Sequence, residues 1–222
     1  MNRVLSLAGL SVLAVLTGCA STPAPKADYT VYRQHMPKSI LVLPPINNSP
    51  DVHATHSVLS STTAPIAEAG YYVFPVALVE QTFKENGLSN PAEIQQVSPQ
   101  KLQEIFGADA ALYMTVTEYG SKYQVLQSST SVAATAKLID LKTGIQLWQG
   151  TQRLDVVDSN DHGAGLVGLL VNAAISQIAN NLTDKAYPIA GLVNQQMLSP
   201  TANPSTGLLH GARSPQYLPT GQ

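Results

Sequence analysis

The chain has 222 residues and a formal charge of −2, and only 12% of its residues are charged, against roughly one quarter in ordinary soluble domains. Its 12 Lys and Arg are scattered, which argues against a nucleic-acid partner, because phosphate neutralisation needs concentrated positive charge. The single cysteine, Cys19, excludes an intrachain disulfide and a thiolate metal cluster.

The N-terminus reads first. Met1, Asn2 and Arg3 give a small positive start, and Val4 to Leu16 is an apolar run broken by Ser6, Gly9 and Ser11. A membrane-spanning helix needs about 20 apolar residues, so this run is too short to span and reads as a cleaved leader over residues 1–18. Leu16, Thr17 and Gly18 then precede Cys19, which resembles the lipobox of bacterial lipoproteins. That resemblance implies acylation of the Cys19 thiol and cleavage just before it. Ala20 is not the aspartate that holds such lipoproteins at the inner membrane, so the resemblance implies the periplasmic face of the outer membrane. Each buried acyl methylene contributes about 0.8 kcal/mol, and several chains anchor durably.

Residues 19–37 read as a lipidated tether, Pro-rich around Pro23 and Pro25. Residues 38–198 read as one α/β domain. Ser39 to Leu43 is continuously apolar after its first residue, as in a strand covered on both faces, and Pro44 and Pro45 end it. Val52 to Ala69 reads as a helix broken or kinked at Pro65. Tyr71 to Phe74 is a second strand, and Val76 to Asn86 is a helix closed by Gly87. Ser98 and Pro99 supply the cap and first turn of a helix that Gly107 ends.

Leu112 to Tyr119 alternates apolar and polar residues, the period of a half-covered strand. Tyr123 to Gln127, Val132 to Ile139, Ile145 to Trp148 and Thr151 to Val157 follow as strands, with a hairpin turn at residues 140–144 and Gly150 placed for a bulge. A long helix runs from about Gly165, with Pro188 expected to bend or split it. Residues 199–222 read as a flexible tail, although Leu208, Leu209 and Tyr217 could latch it onto the domain or a neighbouring subunit. The order predicts a mixed sheet flanked by helices.

Few residues point to chemistry. Residues 163–168 spell G-x-G-x-x-G, but after an antiparallel hairpin rather than the first strand of a βαβ unit, so a flexible helix entrance is favoured over nucleotide binding. Asp158, Asn160 and His162 imitate a calcium loop, but Leu169 stands where its glutamate is required. His53 and His56 are three apart with no third ligand in sequence, and Asp155, Asp158 and Asp161 read as a solvated turn. Trp148, Tyr71, Tyr72 and Phe74 read as packing residues. No catalytic, cofactor or metal residue is assigned, and Cys19 is the one site residue.

Gly107 to Tyr113 with Val116 to Tyr119, and Asp140 to Gly144 with Leu147 and Trp148, resemble curli-secretion-type lipoproteins and the TolB amino-terminal domain. The leader, the Leu43-Pro44-Pro45 strand end and Ala64 to Pro75 resemble an uncharacterised bacterial lipoprotein family, domain of unknown function 799. The resemblance implies an anticodon-binding-like α/β fold and no catalytic residues. It also implies an accessory or assembly role in an envelope secretion or transport complex, beside an envelope partner such as a curli-channel-like lipoprotein. The weakly charged surface is compatible with homo-oligomers. The competing expectations are a small-molecule or glycan binder using Asp158 to Gly168, and a regulator of cell-wall synthesis. The chain lacks a long amphipathic hairpin for a pore of its own.

Overall fold

The computed structural model describes residues 27–123, 128–158 and 184–218. The first strand, β1 (Ser39–Val42), sets the layers. Ile40, Leu41, Val42 and the following Leu43 are all fully buried. Side chains alternate across a strand, so Ile40 and Val42 enter one apolar cluster while Leu41 and Leu43 enter a second on the opposite face. A strand greasy on both sides must be covered on both sides.

On one side lie α1 (Thr30–His35), α2 (Ala54–Glu68) and α6 (Ala186–Leu198). On the other, Val79 and Phe83 from α3 (Val76–Glu85), Ile94 from α4 (Pro91–Ile94) and Leu102 from α5 (Pro99–Phe106) close over Leu41, Leu43 and Ala111. The Ser98 and Pro99 start is as expected, and the unanticipated α4 begins in the same way. Asn90 and Ser98 accept the amides of Ala92 and Lys101, each with Pro in the first turn. Gly107 closes α5 at φ 68°.

The sheet runs β3-β1-β4-β5-β6. β3 (Tyr72–Val73) and β4 (Ala110–Tyr123) flank β1 in parallel, and the short β2 (Ile46–Asn47) extends β1 alongside β4. β4, β5 (Ser128–Asp140) and β6 (Gln146–Asp158) form an antiparallel meander. The expected mixed sheet flanked by helices is therefore present.

Several local expectations change. Within Val52 to Ala69 the helix Ala54–Glu68 runs unbroken with Pro65 inside it, so the expected break is absent. Thr62 is fully buried there and donates to the Val58 carbonyl at 2.7 Å. Pro188 falls in the first turn of α6, where a missing amide donor costs nothing, and among the described residues the helix continues past it. Residues 159–183, with the expected helix start and both loop motifs, lie outside the described residues. So do residues 124–127, which hold most of one expected strand.

Gly150 pairs regularly with Ala136. The register shift in β6 lies between Trp148 and Gln146 instead, opposite Leu138 and Ile139. Gly150 has a different job. A Cβ there would overlap the Trp148 indole and come within 3.1 Å of Met197 Cγ. Gly150→Ala is expected to cost about 2 kcal/mol by overpacking and to shift the emission of the single tryptophan. Denaturant unfolding followed by fluorescence checks both.

Candidate functional site at the tether root and the open sheet face

Two regions outside the core have built geometry. The first is where the N-terminal segment enters the domain. Ala27 donates its amide to the Ser205 carbonyl at 3.0 Å, and the Tyr29 hydroxyl donates to the Gly207 carbonyl at 2.6 Å. Tyr32 is fully buried beneath α1. The tether expected to reach residue 37 therefore joins the fold by Ala27, because Tyr29 and Tyr32 supply one apolar face at helical spacing.

The tail docks as well. Leu208 is buried, and its amide bonds the Leu198 carbonyl at 3.3 Å. The Trp148 indole donates to the Thr206 carbonyl at 2.7 Å. Gly211 and Arg213 donate their amides to Ala69 and Gly70, and the Arg213 guanidinium lies 5.4 Å from the Tyr72 ring centroid. Gly211 must be small, since a Cβ would lie 2.7 Å from the Gly70 oxygen. Residues 199–218 thus follow the latching course, closed over the same face as the tether root.

A buried hydroxyl chain fastens the two. Tyr71 donates its one proton to the Leu209 carbonyl at 2.6 Å, so Tyr32 must donate to Tyr71 at 2.9 Å. Burial pushes both phenols above the ordinary tyrosine range. At the end of α1, His35 Nδ1 stands 3.4 Å from Asp140 Oδ2 at the β5–β6 turn. Burial pushes the Asp140 carboxyl up. The Thr143 hydroxyl and amide, both at 2.7 Å, together with His35 more than offset that and hold it below the ordinary carboxylate range.

The second region is the uncovered face of the meander. α3, α4 and α5 shield only the β1 side of the sheet. Thr115, Thr135 and Thr151 therefore form an exposed to half-buried row across the meander. In β4 the register shifts between Val116 and Glu118, so Thr117 is an extra residue and Glu118 joins this open face. There Arg153 binds Glu118 and also grips Asp155 through Nε at 2.7 Å and Nη2 at 2.9 Å. Ser131 donates to Asp155 at 2.6 Å, and Lys122 stands 3.6 Å from Glu118. The Arg153 guanidinium holds both carboxyls below their ordinary values, with Ser131 adding to the effect at Asp155.

The clefts hold little free chemistry. One of about 480 Å³ is lined by His35, Lys38, Asp109, Asp140 and Lys142. Asp109 Oδ2 there already accepts the amides of Lys38 and Ser39 and the Ser39 hydroxyl, each at 2.9 Å. Another, of about 540 Å³, is lined by Asp51, His53, Gly120, Asp184 and Lys185. Asp51 caps His53, and Asp184 caps Ala186 while accepting the Tyr119 hydroxyl at 2.5 Å. His56 is exposed and stands 3.8 Å from Glu80. His53 and His56 thus have separate neighbours. Among the described residues no three His, Cys, Asp or Glu gather as a metal site. A Ser–His contact, Ser214 Oγ to His210 Nδ1 at 3.0 Å, is local to the tail, and the same hydroxyl accepts the Gln216 amide.

Sequence spacing missed the root and the ladder. Tyr29 and Tyr32 carried a signal, an aromatic pair three apart, whereas nothing marks Thr117 as a bulge.

The described residues form a mixed α/β domain whose N-terminal segment is bonded to its C-terminal tail. A family model, Putative lipoprotein GNA1162-like, matches residues 27–213, and the chain belongs to that family. It is 49% identical over 211 residues to Putative lipoprotein NMB1124/NMB1162 of Neisseria meningitidis serogroup B, across 95% of this chain and 97% of that one. The crystal structure of lipoprotein GNA1162 from Neisseria meningitidis is 55% identical, with a TM-score of 0.55 over 65% of this chain and all of that one. The PelC dodecamer from Paraburkholderia phytofirmans is a distant likeness at 18% identity and a TM-score of 0.40, covering 78% and 88% of the two chains. The C-terminal domain of LpoB from Salmonella enterica is another at 17% and 0.39, covering 54% and 84%.

Two outcomes are expected. Tyr71→Phe strands both the Tyr32 hydroxyl and the Leu209 carbonyl and costs about 2 kcal/mol, whereas Tyr32→Phe leaves the Tyr71 bond to Leu209 and costs about 1 kcal/mol. Urea unfolding of both variants measures the difference. A depressed carboxyl contributes stability above its unfolded pKa of about 4 and loses it as pH falls through the lower folded value. Asp140→Asn should therefore flatten the fall in Tm between about pH 5 and about pH 2.

Proposed function

We propose that the chain is a lipid-anchored periplasmic protein, held at the inner face of the outer membrane by acylated Cys19. It acts by tethering and surface recognition as a non-enzymatic accessory or assembly subunit of an envelope complex. The observation that supports this most is the tether root. The lipobox cysteine precedes Ala27, which is bonded to the tail, by a short stretch, and the family match begins at the same residue. At full extension residues 19–27 span about 30 Å, so the domain would work close to the bilayer.

The chemistry of the clefts supports recognition over catalysis. Their acids are occupied in capping backbone amides, and the uncovered surface is a flat sheet face with paired charges. The partner in this reading is another envelope protein, with a curli-channel-like lipoprotein the first to test.

Intact-mass analysis of protein from native membranes should show a chain beginning at Cys19 and carrying acyl groups. Cys19→Ser should move the protein to the soluble fraction with its fold unchanged. A mature chain that still starts at Met1, or wild type recovered as soluble protein, would overturn the anchor. Crosslinking in intact cells that captures no envelope protein would overturn the assembly role.

A further inference from the structure

β6 is the last strand of the sheet order and is 13 residues long. Among the described residues no backbone group bonds its outer edge. Long free edges are commonly blunted by proline, lysine or a bulge. β6 has no proline and no lysine, and its register shift lies before Trp148, so residues 148–158 pair regularly with β5. We infer that this edge pairs with the β6 edge of a second copy, antiparallel, about a two-fold axis at Leu154.

The register follows from side chains. Directly opposed residues in an antiparallel pair share a face. A copy that keeps both helix-covered faces on the same side must therefore align odd-numbered residues with odd ones. With Leu154 opposite Leu154, Arg153 of each chain lies across from Asp155 of the other on the open face, and Gln152 lies across from Val156 on the covered face. Moving the axis to Arg153 would oppose two arginines, and moving it to Asp155 would oppose two aspartates. Like charges directly opposite are unfavourable, and the axis at Leu154 is the one that sets each Arg153 across from an Asp155, so it is favoured.

Leu154 itself is partly buried against the core cluster, and in this register each copy's leucine extends the other's apolar layer. Ser131 and Glu118 already brace Asp155 and Arg153 in position. The proposed anchor adds to this, because lipidated chains share one plane and meet at raised effective concentration. In that respect the inference rests on the proposed function.

The test uses the full lipidated chain, in intact cells and in detergent with a mild thiol oxidant. Leu154→Cys places two thiols across the axis and should give a disulfide-linked homodimer. Gln149→Cys, away from the axis, should give none, and wild type, with Cys19 alone, should give none. Arg153→Glu should weaken self-association in detergent by at least about tenfold, since the two-fold axis repeats the repulsion. Adding Asp155→Arg should restore it, and Tm measured on each variant separates loss of pairing from loss of fold. A monomeric mass for wild type, equal crosslinking at Gln149, or a Leu154→Cys product with a protein of another size would overturn the inference. Cell fractionation reads the anchor independently, so failure of the edge contact and failure of the lipid attachment are distinguishable.

Discussion

Two-sided burial of β1 is the constraint on which the rest of the structure depends. Ile40 and Val42 face one layer, Leu41 and Leu43 the other, and all four are fully buried. A strand so placed has to be interior to the sheet, which it is, with β3 and β4 in parallel on either side. It also recruits helices to both faces. The recruitment is uneven, because the second layer draws on Val79, Phe83, Ile94 and Leu102 and stops near Tyr113. Beyond that point β4, β5 and β6 are covered on one face only among the described residues, and the alternation of half-buried Thr115 with buried Met114 and Val116 fits that exposure. The open face and the free edge are therefore consequences of where the second apolar layer ends.

The contact between α2 and α6 shows a different kind of specification. Asn194 is fully buried, and the two hydrogens of its Nδ2 are shared among the Val58 carbonyl at 2.9 Å and the hydroxyls of Ser61 and Thr62 at 2.8 and 3.0 Å. An apolar contact would tolerate sliding of one helix along the other. A buried amide whose two hydrogens are satisfied within one turn fixes the register, at the cost of desolvating polar groups and of leaving Asn194 Oδ1 without a partner among the described residues.

Much of this was legible in the sequence, for reasons that differ between elements. β1 announced itself by continuous hydrophobicity, β4 by its period of two, and α5 by Ser98, Pro99 and Gly107, whose local chemistry is the same in any context. The misses share a cause. α1, the docked tail and the unbroken course past Pro65 are decided by tertiary contacts, and Tyr32, Leu208 and Thr62 have no meaning until their partners are near. Gly150 carried a real signal, a required small residue, but the reason is the Trp148 ring rather than an extra backbone residue. At the candidate site, Arg153 and Asp155 share a face by strand alternation, but Glu118, the second carboxylate on Arg153, reaches that face only through the bulge at Thr117.

The zipped ends have a mechanical consequence. Because Ala27 and Tyr29 hold Ser205 and Gly207, force entering through the N-terminus meets the tail before it meets the sheet. The first bonds in that load path are two hydrogen bonds, backed by the Tyr32–Tyr71–Leu209 relay. A pull on the N-terminus would therefore peel the strap and lengthen the leash while leaving the α/β body intact.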